Sequence, residues 1–344
     1  MSIYPKPGNM RPVDPVLSGF VAGVANQPSN FVADEILPVI VNSTSATNGD
    51  DSFSTGTLQR FADAALFGDP SANDVVAPGQ TYPRDRGGDF NPLTFACQKY
   101  GREAVLLWEE LKRLQGAGKL GAEMAKLLPL VQTLLIRKEV RVAEFFESIT
   151  NWTNYETLTD SWDEDAGDIN GDIITAMESV MSYGMTANTM VLPRDSFVAM
   201  VQNNSFLEFL NVDRDRTTLY APGALAEVLA GRYGIDRLIL ANASYNTDKD
   251  PDAAPTLDYV WGDTCWIGYL PPAPQSAVMP SATGVGTSVQ LLTPMAGARI
   301  VEHDWEVQTY PEEQSDSDIY KVRYSEIDKV VSPGLGFLLK NTIA

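Results

Sequence analysis

The sequence predicts an α+β chain organised around one very long helix, and three observations predict it. Residues 121–151 form the longest helix-capable run: Leu127, Leu128, Val131, Leu134, Leu135, Lys138, Val142 and Phe145 recur at three- and four-residue steps, the spacing of one helical face. Residues 299–324 contain two runs of strict apolar–polar alternation, the pattern of paired strands. Residues 43–100 are rich in Gly, Ser, Thr, Asn and Asp with little periodicity, which inside a folded chain is commonly a functional loop.

The long run is filled out by alanine, leucine, glutamate, lysine and arginine, all helix formers. If helical throughout, it is about 45 Å long at roughly 1.5 Å per residue. Phe145, Phe146 and Ile149 widen its apolar surface toward the C-terminal end, so the helix should be buried on more than one side. Pro129 donates no backbone hydrogen bond. It is expected to kink the helix or mark its true start, with residues 121–128 as a bent lead-in.

The other elements follow in order. Residues 16–24 read as one small helix in an otherwise extended arm, and residues 31–41, apolar with Pro38 inside, as an extended edge segment. Leu93, Phe95 and Cys97 alternate with polar neighbours, so the loop region ends in a returning strand. Residues 103–115 read as a short helix ended by Gly116 and Gly118. Asp168 or Asp172 can cap a helix running to about Tyr183, with Ile173, Ile174, Met177, Val180 and Met181 inward. From Thr189 strands and helices alternate: a strand at 190–192, a helix at 196–202, an apolar patch at 206–210, a helix at 221–233 stopped by Gly234, and a strand at 238–240. Residues 257–270 read as a strand pair turning at Gly262 and Asp263. Val301, His303, Trp305 and Val307 point one way and Glu302, Asp304, Glu306 and Gln308 the other. An acidic turn at 311–318 joins this run to Tyr320, Val322 and Tyr324, forming a long hairpin, and the apolar C-terminal residues 334–344 should be docked.

Composition narrows the function classes. The 344 residues are 44% hydrophobic, enough for a substantial core in two or three regions. With 45 acidic against 25 basic residues, the net charge of −20 argues against gripping phosphate backbones or anionic membranes. The N-terminus lacks the apolar stretch of a signal peptide, so synthesis and folding in the cytosol are expected. Cys97 and Cys265 read as small buried side chains.

The residue types needed for common active sites are missing. His303 is the only histidine and lies on a strand beside Trp305, and two scattered cysteines give zinc almost no ligands. The acidic stretch Asp160, Asp163, Glu164, Asp165, Asp168 and Asp172 fails the spacing of a calcium loop and reads better as a solvated loop feeding a helix N-terminus. Gly284–Gly286 and Gly334–Gly336 do not open helices, so neither is a phosphate loop. No catalytic, cofactor or metal residue is assigned. Arg137, Lys138 and Arg141, interleaved with Glu139, Glu144 and Glu147, read either as intrahelical ion pairs or as contacts to a neighbouring chain. An extended arm, an extended loop and an over-long helix without a catalytic constellation suit an assembly protein.

Several runs, in this order, resemble a known family. Residues 14–41 (DPVLSGFVAGVANQPSNFVADEILPVIV), 134–146 (LLIRKEVRVAEFF), 188–210 (NTMVLPRDSFVAMVQNNSFLEFL), 225–247 with 259–274, and 330–341 (VVSPGLGFLLKN) are similar to tailed-bacteriophage major capsid proteins of the Hong Kong 97-like fold. The resemblance implies an N-terminal arm at 1–50 and an extended loop at 51–100. It implies a peripheral domain at 101–187, carrying the spine helix, with a return at 293–344, and an axial domain at 188–292. It implies hexamers and pentamers closing into an icosahedral shell around double-stranded DNA, in the phage head, after synthesis in the bacterial cytoplasm. Scaffold, portal and decoration proteins are the further partners of such a shell; a scaffold would be a separate chain, since no scaffolding segment is visible ahead of the arm. No cofactor and no membrane are implied. Arg137, Lys138, Arg141, Glu144, Phe145, Phe61 and Phe67 become the candidate intersubunit contacts. Lysine–asparagine crosslinking is not expected, as the loop has no lysine before Lys99. The charge of −20 suits a shell that encloses DNA without adhering to it. Two other readings stay open: an encapsulin-like nanocompartment shell around a cargo protein, and a soluble enzyme with a carboxylate site such as Asp163 and Asp168.

Overall fold

The computed structural model describes residues 13–25, 31–41, 55–61, 90–113, 118–164, 166–210, 222–248, 254, 256–271, 276–279 and 289–344. The long helix, α4 (Gly118–Glu147), is present and joins two of the three hydrophobic cores. Its first half sends Leu127, Val131, Leu134 and Leu135 into one core with Trp305, Val307, Tyr320, Val322 and Tyr324. Its last turns send Val142, Ala143 and Phe146 into a second core with Trp152, Trp261 and Trp266. That double burial explains both its length and its widening apolar face.

Two features of α4 differ from expectation. It begins at Gly118, ahead of Pro129, and runs through the proline. Ala125 and Pro129 are both exposed, so water can serve the carbonyl that the proline leaves without an amide donor. It also stops at Glu147, where the Trp152 indole donates to the Phe146 carbonyl at 2.8 Å and the Asn151 amide to that of Phe145 at 2.7 Å.

The first core lies against a four-stranded sheet of order β1 (Val39–Val41), β13 (Gly297–Glu312), β14 (Ser317–Val330) and β4 (Gln98–Leu107). β13 and β14 form the expected hairpin, closed by a short 3-10 turn at Glu313–Ser315. Register shifts between Val301 and His303 and between His303 and Glu306 break the predicted alternation: Trp305 and Val307 are buried, but the His303 side chain is half exposed. The arm helix α1 (Pro15–Ala25) buries Leu17 and Val21 here. Asp14 accepts from the amides of Val16 and Leu17 as its cap, and Ser18 Oγ accepts from the Val307 amide at 2.9 Å.

The second core surrounds a five-stranded sheet of order β5 (Asn154–Thr157), β15 (Gly336–Lys340), β10 (Thr264–Gly268), β6 (Thr189–Pro193) and β7 (Arg237–Ala241). Around it lie α5 (Ile169–Met181), α6 (Arg194–Gln202), α7 (Asn204–Leu210) and α8 (Pro222–Tyr233), the last stopped by Gly234 at φ +72°. Asp168 caps α5, accepting from the Gly171 amide at 3.0 Å. On α5, Ile173 and Val180 are buried, whereas Ile174 and Met181, expected inward, are exposed. The docked C-terminal strand β15 pairs with β10 and β5, so residues 154–157 and 336–340 hydrogen-bond into the sheet of 189–268.

A third sheet has the order β11 (Ser276–Met279), β12 (Val289–Leu292), β2 (Thr55–Phe61) and β3 (Phe90–Ala96). The antiparallel β2–β3 pair flanks residues 62–89 in sequence, which lie outside the described residues. Three further expectations are corrected. Residues 33–36 form a short helix, α2 (Ala33–Ile36), before the edge strand β1. Residues 103–107 are strand, not helix, because β4 pairs along its whole length with β14, and only α3 (Trp108–Arg113) is helical. Residues 257–270 do not make a hairpin: β9 (Leu257–Tyr259) pairs with β8 (Ser244–Asn246), while β10 joins the five-stranded sheet.

Candidate intersubunit surface

The second half of α4 is where the sequence places most of its candidate contacts, and the structure divides them by burial. Lys138 is 4% exposed. Its ammonium contacts Asp34 at 2.5 Å and Glu326 at 2.9 Å. Arg299, 1% exposed on β13, contacts Asp34 at 2.7 Å and holds Asp328 through two bonds of 2.7 and 3.3 Å. Burial disfavours charge on Arg299, but Asp328, Glu326 and Asp34 more than offset it and move its pKa up. Two buried cations thus share three carboxylates, tying arm, helix and hairpin together.

Glu139 takes the other side of the helix. It is fully buried and accepts from the Val32 amide at 3.1 Å, the Ala33 amide at 2.9 Å and the Trp261 indole at 2.7 Å. Burial raises its pKa, and the three donors pull against that rise. Two turns on, Glu147 accepts from the Gly262 amide at 2.6 Å and is likewise raised, first by burial. The intrahelical ion pairs anticipated for 137–147 do not form among the described residues. These glutamates bind backbone amides and the tryptophan of other elements, and Lys138 binds other elements as well.

What remains outward is a cleft between α4 and the start of β4. It has a volume of about 470 Å³, and Lys99, Tyr100, Arg137, Val140, Arg141 and Glu144 are among its lining residues. The Arg141 guanidinium stacks 3.7 Å from the Tyr100 ring centre and donates to the Tyr324 hydroxyl at 2.6 Å. Burial pushes the Tyr324 phenol up to about 12, against the pull of Arg141. Arg137 and Glu144 are exposed, and neither makes an ion pair among the described residues. Of the remaining candidates, Phe145 is half-buried and packs edge-on against Trp152 at 5.8 Å. Phe61 ends β2, with its side chain outside the described residues, as is Phe67 altogether. Sequence reasoning missed Tyr100, because β4 was read as loop and helix. It also missed Arg299, whose position between Ala298 and Ile300 in an apolar strand was the available signal.

The carboxylates considered for catalysis have structural duties. Asp163 accepts from the Ala344 amide at 3.2 Å and Asp168 caps α5. Among the described residues no cluster of His, Cys, Asp or Glu is arranged to hold a metal, and no helix is long and apolar enough to cross a membrane. Cys97 and Cys265 are buried free thiols.

No protein-family model matches the chain, and no curated protein matches its sequence. Solved structures do. A phage-related protein from Bordetella bronchiseptica RB50 superposes with a TM-score of 0.68 at 17% identity, over 97% of this chain and 99% of that one. A virus-like particle from Pyrococcus furiosus superposes with a TM-score of 0.51 at 11% identity, over 94% and 96%. At these identities the likeness speaks for architecture, and it runs through nearly the whole chain. The protein has the Hong Kong 97-like fold that its arm, spine-helix and C-terminal runs resemble.

Proposed function

We propose that the chain is the major capsid protein of a tailed phage and builds an icosahedral shell from hexamers and pentamers. The observation that carries the reading is the likeness in architecture to a phage-related protein over nearly the whole of both chains. The arm supports it too: α1 and the Asp34 segment are tied to β13 and α4 by hydrogen bonds and by ion pairs to two buried cations rather than forming a core of their own. Residues 1–50 then serve as arm, 51–100 as extended loop and 188–292 as the main part of the axial domain. The peripheral part is carried by α4 and the β13–β14 hairpin. Scaffold, portal and decoration proteins are partners of such a head, and the net charge of −20 suits an enclosed, mobile genome.

Cryo-electron microscopy of the purified protein tests the proposal. Closed icosahedral particles, or ring-shaped capsomers, are the expected result; discrete small particles under every assembly condition tried would refute it. Particles from the native source should contain double-stranded DNA. Particles filled instead with one protein would mark a nanocompartment shell.

A further inference from the structure

We propose that the basic cleft between β4 and α4 receives the acidic tip of the β13–β14 hairpin from a second copy of this chain. The inference rests on the shell reading above and adds a specific contact to it. The cleft concentrates Lys99, Arg137 and Arg141 around Glu144, with the buried Glu326 carboxylate 3.5 Å behind Arg141, on a molecule whose net charge is −20. Arg141 is held flat on Tyr100 by its bond to Tyr324, so its position is set before any partner arrives. Arg137 is exposed with no acidic partner among the described residues. Val140 and Tyr100 supply an apolar wall beside the charges.

The hairpin tip has the complementary character. Residues 311–316 are all exposed and include Glu312, Glu313 and Asp316 without a basic residue among them. The tip is stiffened from within: Ser315 donates to Glu312 at 2.6 Å, and Asp316 adopts φ +46° to close the turn. The solvated loop at 160–168 is also acidic, but Asp163 and Asp168 already cap other backbone amides. The tip is therefore the better-matched occupant.

Tip and cleft cannot meet within one chain. Lys119, which pairs with Asp318 at the foot of the tip, lies about 27 Å along α4 from Arg137 at roughly 1.5 Å per residue. Ser317 pairs with Leu107 at one end of β4, while Arg323 and Ser325 pair with Gly101 and Lys99 at the other. Donor and receiver thus occupy opposite ends of one sheet. A contact between them is head-to-tail, the kind that closes into rings when the rotation between copies allows it.

Charge exchange tests the contact. Arg137→Glu alone, and Glu312→Lys with Glu313→Lys alone, should each weaken subunit association about tenfold by sedimentation velocity, and increasingly so at low salt. The three substitutions together should restore it. All three positions are exposed, so circular dichroism should show unchanged folding. A disulfide trap gives a second measurement, since Cys97 and Cys265 are buried. Arg137→Cys with Glu313→Cys should link different chains at this pair. Assembly indifferent to the single charge reversals, no rescue by the triple variant, or no interchain disulfide between positions 137 and 313 in assembled protein would overturn the contact and leave the shell reading standing. Wild-type protein that never associates would overturn both.

Discussion

Replacing Arg299 with methionine removes one of two cations from the buried cluster while preserving much of its volume. Lys138 stays on Glu326 at 2.9 Å and on Asp34 at 2.5 Å, so the group left stranded is Asp328. Its side chain is only 13% exposed and loses both bonds to the guanidinium. Removing one partner of a buried pair costs about 3–5 kcal/mol, because the remaining charge is neither solvated nor paired. The lower end is expected here, about 3 kcal/mol, since some water reaches Asp328 and the Asp34 contact is 41% exposed and contributes little. Urea unfolding at pH 7, followed by tryptophan fluorescence and far-ultraviolet circular dichroism on protein that is one species by size, reads the change. Asp328→Asn should be costly by itself. The double variant should cost less than the two single changes summed, with a coupling on the order of 2 kcal/mol. A loss under about 1 kcal/mol for Arg299→Met, or strict additivity with Asp328→Asn, would refute the view that Arg299 and Asp328 are a tightly coupled pair within this cluster.

Glu139 should leave a signature in the pH dependence. Its folded pKa lies above the ordinary 4.5, so its contribution to stability is fully present below about pH 4.5 and is lost as pH rises through the raised value. In Glu139→Gln, urea unfolding between pH 4.5 and 7 should therefore lose a component that falls with rising pH; an unchanged slope would contradict the assignment. Gly336 faces Gly268 across β15 and β10, and a Cβ there would sit 2.5 Å from the Trp152 ring. Gly336→Ala should cost about 1–3 kcal/mol in the same assay by overpacking, and a neutral result would show that the rings move aside. Phe146, 1% exposed and 4.9 Å from Trp266, should cost about 3–5 kcal/mol as alanine. Pro129→Ala, on the exposed face of α4, should stabilise by up to about 3 kcal/mol. A loss of stability there would mean that the packing of α4 depends on the proline.

The elements legible in the sequence are those whose signal is local. The period of 127–145 finds α4, the alternation of 299–324 finds the hairpin, Asp168 finds the cap of α5, and Gly234 finds the stop of α8. Elements determined by distant partners were misread. Residues 103–107 look helical by composition and become strand because β14 offers ten residues of pairing to β4. Residues 257–270 look like a hairpin, but the second strand finds β15 and β6 in place of its neighbour. His303 faces out because the irregular register of β13 moves the alternation by a step, which no local pattern shows. The same division runs through the candidate surface. Sequence places Lys138 at the period of the apolar face and names it with Arg137 and Arg141 as a candidate contact; only tertiary structure shows which two carboxylates from elsewhere take Lys138, leaving Arg137 and Arg141 to face the cleft.

Lys138 and Glu139 are neighbours in sequence and bind different partners. Successive helical residues are about 100° apart, so one turn of α4 holds Glu326 and Asp34 through Lys138, and the adjoining Val32–Ala33 amides with Trp261 through Glu139. Rotating the helix by one position would bury a charge against the wrong elements and break both sets of bonds at once. The helix is therefore held against rotation by charges that never reach the surface. Its outward residues, Arg137, Arg141 and Glu144, are presented at a fixed angle. A partner that docks on a fixed stripe avoids most of the ordering cost that a mobile one would impose. If the proposed contact forms, the buried ion pairs orient a surface they do not touch, and loosening them should weaken subunit association even where the fold survives.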